Sequence, residues 1–141
     1  MATPSGPLTG YRVLDLGGPL SLHCTKLLAD MGADVIKIEP PSGDVSRRVP
    51  PFKDDTPHLE KSLYFLHFNT NKRGITLDVE KPDGRAIVLE LCKKADVIIE
   101  TFRPSRAKEL YLTYEDLSAV NPALIVASIT PFGQNLSLIH I

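Results

Sequence analysis

The strongest constraint on the fold is an alternation between short apolar runs and segments with helical periodicity. Five runs are typical of buried strands, at residues 12–16 (RVLDL), 34–39 (DVIKIE), 74–78 (GITLD), 96–100 (DVIIE) and 124–130 (LIVASIT). Strands that alternate with helices pair in parallel and carry helices on both faces of the sheet. The sequence therefore predicts an α/β fold with an open, Rossmann-like, mostly parallel sheet.

The connecting segments give further detail about the helices. Apolar residues at helical spacing predict the inner face of a first helix at Leu20, Cys24, Leu27, Leu28 and Met31, closed by Gly32. A second helix is predicted to begin at Pro82 and to bury Ile87, Val88, Leu91 and Ala95. Thr113 and Asp116 predict the cap of a short third helix. Residues 40–62 contain five prolines and predict a long loop, followed by a short buried segment at 63–68.

Composition excludes several classes of partner. The chain has 16 Lys and Arg against 17 Asp and Glu, so no excess of charge predicts binding to nucleic acid or to an acidic membrane surface. Residues 1–10 lack the pattern of a signal peptide, and no apolar stretch of about 18 residues is present. We therefore expect a cytoplasmic protein with no membrane partner.

Cysteine and histidine do not predict a metal site. Cys24 and Cys92 stand far apart on two predicted helices, so both are interpreted as small buried apolar residues in a reducing compartment. The four histidines have no ligand spacing, and His67, inside an apolar segment, is interpreted as a core residue.

A glycine pair after the first strand raises the question of a dinucleotide site. The Rossmann fingerprint needs three glycines, but Pro19 and Leu20 follow Gly17 and Gly18 without the third. The turn therefore predicts a Rossmann-like sheet without an NAD-binding loop.

The segment Thr101, Phe102 and Arg103 is the leading candidate for a ligand site. It follows the carboxyl end of an apolar strand, where open α/β sheets leave a crevice. Arg103 offers a guanidinium for phosphate and Phe102 an aromatic face for a purine. The alternative is an exposed Arg103 with Phe102 packed in the core.

Three motifs together resemble the family III CoA-transferases of the CaiB/BaiF type. They are residues 32–44 (GADVIKIEPPSGD), 69–78 (NTNKRGITLD) and 101–104 (TFRP), and the resemblance runs from about residue 11 to residue 134. In the family the last motif commonly reads Asn-Phe-Arg-Pro, from which Thr101 departs. The resemblance implies that the chain is an N-terminal part of that fold, with an incomplete sheet.

The resemblance also implies which residues contact coenzyme A. Leu20 and Ser21 correspond to positions beside the thiol and pantetheine arm, Leu77 and Asp78 to positions that border the nucleotide, and Arg103 to a basic CoA-binding residue. A helix N-cap is the alternative for Ser21, and a turn residue the alternative for Asp78.

Other charged residues are harder to assign. Lys72 and Arg73 are interpreted either as phosphate ligands or as a solvated basic turn. Glu109 stands where many relatives have an arginine, so either Arg106 or Lys108 replaces that contact or the contact is absent.

The resemblance implies a reaction as well as a fold. In the family an aspartate attacks an acyl-CoA, and CoA then passes to a carboxylic acid acceptor through an enzyme-bound mixed anhydride and CoA ester. That aspartate lies beyond this chain, so no catalytic residue and no covalently bound cofactor is assigned, and we expect the chain itself to be inactive. Family members form an interlocked homodimer. The alternatives are a fragment of the related α-methylacyl-CoA racemases and a non-catalytic nucleotide-binding module.

The chain is expected to fall into three parts. Residues 1–10 are a lead-in, residues 11–134 the N-terminal part of the CoA-transferase large domain, and residues 135–141 a non-native tail. The tail is expected because residues 136–141 (LSLIHI) read like the translated end of a sequencing adapter. A short natural strand is the alternative, since the apolar residues alternate.

Overall fold

The computed structural model describes residues 6–131 together with residues 133 and 134. The strands are β1 (Arg12–Leu16), β2 (Asp34–Glu39), β3 (Arg73–Thr76), β4 (Val97–Glu100) and β5 (Ile125–Ser128). The helices are α1 (Leu22–Asp30), α2 (Leu63–Phe68), α3 (Pro82–Cys92), α4 (Pro104–Glu109) and α5 (Tyr114–Val120). Short 3₁₀ turns at Val45–Arg48 and Lys53–Asp55 interrupt the long loop. The expected tail, 135–141, and residues 1–5 of the lead-in lie outside the described residues.

The five strands form one open parallel sheet in the order β3-β2-β1-β4-β5. The predicted α/β class and parallel pairing are thus confirmed. Strand order reverses between β1 and β4, which pair directly, with Leu16 opposite Glu100 at their carboxyl ends. Ligands of open α/β sheets bind in the crevice at such a reversal.

The two faces of the sheet are packed differently. On the α3 face, Leu14, Ile36 and Ile98 pack against α3 and α5 in an apolar cluster that includes Val88 and Leu117. On the α1 face, the apolar cluster is smaller and consists of Val13, Ala29, Ala33, Val35 and Ile99. Because side chains alternate along a strand, Asp15, Lys37 and Glu39 also belong to the α1 face. These three side chains are buried.

The predicted inner face of α1 is mostly wrong, since only Leu28 of its five residues packs, in part, against the core. The buried residues of the helix are Leu22, Thr25 and Ala29, whereas Leu20, Leu27 and Met31 are exposed. The helix is rotated because Thr25 donates a hydrogen bond to the buried Asp15, at 2.8 Å.

The cysteine and histidine interpretations are also partly wrong. Cys24 is exposed on the outer side of α1. His67 is also exposed, at the outer side of α2, where only Phe65 is buried. Cys92 is buried as expected, and burial raises the pKa of its thiol to about 11.

The remaining helices follow local signals to different degrees. Helix α3 begins at Pro82 as predicted, but Ile87 is exposed and Gly84 is buried instead. A β-carbon at Gly84 would lie 1.9 Å from the carbonyl oxygen of Asp78, so this glycine lets α3 approach the preceding loop. The capping box of Thr113 and Asp116 is present in α5, as predicted. Helix α4 was not predicted, because only Ala107 is buried in it.

The described residues contain neither a membrane-spanning helix nor a metal-binding cluster. None of their helices combines the length and the apolar character needed to cross a bilayer. Nor do any three of their His, Cys, Asp or Glu side chains lie together in a way that could hold a metal ion.

Candidate functional site

The crevice between β1 and β4 brings together two of the segments singled out from the sequence. The amide of Gly18, in the turn after β1, donates a hydrogen bond to Oγ1 of Thr101, just past β4, at 3.0 Å. A β-carbon on Gly17 would lie 1.8 Å from Oγ of Ser21 and 3.2 Å from Cγ2 of Thr101. The turn therefore needs glycine because of close packing, not because of an NAD-binding fingerprint.

Leu20 and Ser21 differ in exposure although they are neighbours in this turn. Leu20 is 59% exposed, so it presents an apolar surface at the crevice. Ser21 is fully buried, and its hydroxyl lies 3.3 Å from Oδ1 of Asp15 and 3.1 Å from the carbonyl oxygen of Gly18. Ser21 stands at the N-cap position of α1 but its side chain makes no capping bond. Its hydroxyl instead holds the turn on the buried side, through Asp15 and the Gly18 carbonyl.

Arg103 offers an exposed guanidinium at the site. It precedes α4, and its side chain has no hydrogen bond or ion pair among the described residues. Phe102 is half-buried and packs against the apolar cluster of the α3 face. Its amide donates a hydrogen bond to Oε2 of the buried Glu100, at 2.5 Å. The arrangement orients the segment so that Arg103 points its charge outward while Phe102 anchors it.

Leu77 and Asp78 follow the carboxyl end of β3. Because the strands are parallel, they lie at the same end of the sheet as the β1–β4 crevice. Leu77 packs on the apolar cluster that also contacts Phe102. Asp78 accepts a hydrogen bond from the amide of Glu80, at 3.1 Å, as a turn residue does. Its Oδ2 also lies 3.7 Å from Nζ of Lys81.

Arg106 links this loop to α4 and is not free. Its guanidinium pairs with Glu80 and with Glu109, the latter at 2.6 Å. Two carboxylates therefore neutralise Arg106, while Lys108 is exposed and has no ion pair among the described residues. Arg106 is therefore already paired and does not offer a free guanidinium in place of the arginine that many relatives have at position 109.

A cluster of charged side chains lies buried beneath the glycine turn. Asp15 accepts hydrogen bonds from the Gly17 amide at 3.1 Å, from Thr25 at 2.8 Å and from Nζ of Lys72 at 3.2 Å. Nζ of Lys37 donates to the carbonyl oxygen of Gly17, at 2.8 Å.

Lys72 is neither a solvated turn residue nor a surface phosphate ligand. Its side chain is only 1% exposed. Loss of hydration lowers the pKa of this ammonium, and the adjacent carboxylate of Asp15 partly opposes that shift. Arg73, by contrast, pairs with Asp34 at the amino-terminal edge of the sheet, at 2.6 Å.

A second cleft opens beside the ends of β2 and β3. It has a volume of about 170 Å³ and is lined in part by Glu39, Gly43, Arg47, Glu60 and Thr76. Burial alone would raise the pKa of Glu39. Hydrogen bonds from Arg47 and from the Asp44 amide, with the Arg47 charge, outweigh it and hold that pKa below its usual value.

The sequence reasoning did not assign Asp15 or Lys37 a role. Each is a charged residue between two apolar neighbours in its strand, Asp15 between Leu14 and Leu16 and Lys37 between Ile36 and Ile38, and so lies on the opposite face from those neighbours. That signal predicts a buried polar partner on the same face but does not identify it.

The chain is similar in sequence to known proteins over most of its length. The sequence profile of CoA-transferase family III matches residues 8–137. The succinyl-CoA:(R)-benzylsuccinate CoA-transferase subunit BbsE of Thauera aromatica is 42% identical over 124 residues, which are 88% of this chain and 30% of that protein. The formyl-CoA:oxalate CoA-transferase of Bradyrhizobium diazoefficiens is 45% identical over 131 residues, 89% of this chain and 29% of that protein.

Solved structures give the same result. The crystal structure of a CAIB/BAIF family protein from Brucella suis superposes with a TM-score of 0.84 at 41% identity, over 94% of this chain and 35% of that chain. The chain thus spans about a third of the length of these relatives. Sequence profile, relatives and fold agree that this chain belongs to CoA-transferase family III.

Proposed function

We propose that the chain is the CoA-binding, N-terminal part of an enzyme that moves CoA from an acyl-CoA to a carboxylic acid. The observation that supports it most is the junction of Gly18 and Thr101 at the β1–β4 crevice, with the unpaired guanidinium of Arg103 next to it. In this proposal residues 11–134 form the N-terminal part of the large domain. The longer protein is proposed to form an interlocked homodimer.

The crevice offers a separate contact for each part of CoA. Arg103 supplies a planar, permanently charged donor for a phosphate group. Thr101 accepts from the Gly18 amide and retains its own hydroxyl proton for a ligand oxygen. Leu20 gives the pantetheine arm an apolar surface, and Leu77 and Asp78 border the nucleotide. Ser21 and Phe102 hold this surface in place from the buried side.

The proposed reaction begins when an aspartate carboxylate attacks the thioester carbon and displaces the CoA thiolate, which gives a mixed anhydride. The thiolate then attacks the aspartyl carbonyl of this anhydride and releases the donor carboxylate, which leaves an aspartyl-CoA thioester. The acceptor carboxylate attacks that thioester and releases the thiolate, and the thiolate attacks the acceptor carbonyl of the second anhydride to give the new CoA ester and the free aspartate. The buried carboxylates near the crevice do not suit this attack. Asp15 is fully buried and bonded to Lys72, and Glu100 is 3% exposed and bonded to the Phe102 amide. The nucleophile is therefore proposed to lie outside this chain.

Two measurements on the 141-residue chain test the proposal. Calorimetric titration is expected to show binding of CoA and acetyl-CoA. Incubation with acetyl-CoA or formyl-CoA and oxalate or succinate is expected to yield no new CoA ester by mass spectrometry. Absence of CoA binding by the folded chain would contradict the binding role, and turnover by the pure chain would contradict the placement of the nucleophile.

A further inference from the structure

The buried charges under the glycine turn form a closed set. Asp15, Lys37, Asp44 and Lys72 carry two negative and two positive charges, and each side chain is at most 6% exposed. Lys72 contacts Asp15 at 3.2 Å, while Lys37 contacts Asp44 at 3.0 Å and lies 4.0 Å from Asp15. Removal of any one of the four leaves a net charge on the set.

The set is connected to both peptide groups of the turn. Asp15 accepts from the Gly17 amide, and Lys37 donates to the Gly17 carbonyl, at 3.1 and 2.8 Å. The next amide, that of Gly18, is thereby aimed at Thr101 across the crevice. The polar cluster fixes the backbone on the β1 side of the proposed ligand site.

Lys72 reaches this cluster from a distant part of the chain. It comes from the loop after α2, where Asn69 accepts a further hydrogen bond from its ammonium at 3.0 Å. It also contacts Oγ1 of Thr25 at 2.6 Å and the Leu22 carbonyl oxygen at 3.4 Å, both on α1. Lys72 therefore ties α1 and the α2–β3 loop to the residue that holds the turn.

A role limited to stability would not require this chemistry. Apolar residues of similar volume often replace buried ion pairs without loss of stability, whereas polar networks fix one arrangement of the groups they contact. We propose that Lys72, acting through Asp15, is a positioning residue that holds the Gly17–Gly18 turn in the geometry that receives the thiol arm of an acyl-CoA. This inference rests on the proposed function.

The test compares Lys72→Met with Lys26→Met in the whole chain. Lys26 is a partly buried lysine of α1, with a side chain 17% exposed, and it pairs with Asp30 at 2.5 Å rather than with the turn. Folded protein is first verified by circular dichroism. Amide chemical shifts and hydrogen exchange at Gly17 and Gly18 then report on the turn, and titration of CoA reports on the site.

We expect Lys72→Met to shift both glycine amides, to speed their exchange, and to weaken CoA binding about tenfold. Lys26→Met is expected to leave the glycine amides and the CoA affinity unchanged, whatever it does to stability. Unchanged glycine amides in Lys72→Met would overturn the inference. Altered amides with wild-type CoA affinity would also overturn it, because the turn would then not serve the ligand.

A variant that does not fold and a chain that does not bind CoA can each be told apart from a failure of the inference. If Lys72→Met does not fold, Thr25→Val decides, because it removes the hydroxyl between Asp15 and Lys72 and keeps both charges. We expect the same changes at a smaller size, and unchanged glycine amides in Thr25→Val would overturn the inference. If the unsubstituted chain binds no CoA, the proposed function is wrong and the role given to the turn falls with it. Failure confined to the variants rejects the inference alone.

Discussion

The two faces of the sheet are packed by different kinds of side chain. The α3 face is mostly apolar, with Leu14, Leu16, Val88 and Leu117 in one cluster, and its buried carboxylate, that of Glu100, lies at the carboxyl end of β4. In β1 and β2 the α1 face is apolar at Val13 and Val35, near the amino ends, and becomes a buried charged network beside Asp15 towards the carboxyl ends. Helices on the α3 face are held by burial of apolar area, whereas the α1 face adds directional bonds next to the proposed site. We therefore expect the α1 face to position the backbone of the site and the α3 face to supply most of the stability of the fold.

The largest effect is expected from removing the centre of the charged network. Asp15→Ala leaves Lys37 and Lys72 buried without their shared carboxylate, and breaking a buried pair costs about 3–5 kcal/mol. Urea denaturation followed by circular dichroism measures the loss. Asp34→Ala is the control, because its ion pairs with Arg12 and Arg73 are partly exposed and such pairs contribute about 1 kcal/mol or less. Equal losses in the two variants would remove the distinction between the faces.

A slightly smaller effect is expected on the apolar face. Leu117 is fully buried between α5 and the sheet, so Leu117→Ala should lower the free energy of unfolding by about 2–5 kcal/mol. Leu27→Ala, at a position 46% exposed on α1, should stay within about 0.5 kcal/mol. A comparable cost at both positions would mean that α1 packs with the rotation the sequence predicted.

The smallest effect on stability is expected from acid, and it should arise on the α1 face. Burial alone would raise the pKa values of Glu39 and Asp44. In Glu39 the hydrogen bonds and charge of Arg47 outweigh burial, and in Asp44 the bonds from Ser46 and the charge of Lys37 do so. Both pKa values therefore lie below their ordinary values of 4.5 and 3.8.

Lowered pKa values fix the direction of the pH dependence. The two carboxylates stabilise the folded chain fully above their ordinary pKa values, and this stabilisation is lost as the pH falls through the lowered ones. Urea denaturation repeated over this pH range should show the loss. Arg47→Met should make the dependence shallower, because Glu39 then loses the partner that lowers its pKa. An identical pH dependence in Arg47→Met would contradict the assignment.

Local signals made much of the fold predictable. The parallel sheet, the start of α3 at Pro82 and the capping box at Thr113 follow from residues close together in the sequence. Helix α4 escaped prediction because its sequence, PSRAKE, has no apolar periodicity. The rotation of α1 escaped because it depends on Thr25 reaching Asp15, a polar contact that apolar spacing does not encode.

The candidate site was predictable only in outline. Strand ends located Thr101 and Arg103 at the crevice, since parallel strands bring their carboxyl ends to one edge. The partner of Lys72 lies 57 residues away in sequence, and one of the two carboxylates that pair with Arg106, that of Glu80, lies 26 residues away. Such pairings depend on the tertiary fold, so an exposed basic turn and a buried ion pair look alike in the sequence.

Titration of CoA into the chain and its Arg103→Ala variant tests the central claim most directly. We expect the variant to bind CoA about 1.5–3 kcal/mol more weakly, or about 10- to 150-fold in Kd, because a charged hydrogen bond to phosphate is lost. Arg103→Lys should recover part of this, since it keeps the charge but not the planar fork. Lys94→Ala is the control. It removes an exposed charge just before β4, at the amino-terminal ends of the strands and away from the crevice, and should leave Kd unchanged. Wild-type affinity in Arg103→Ala would contradict a CoA site at the β1–β4 crevice.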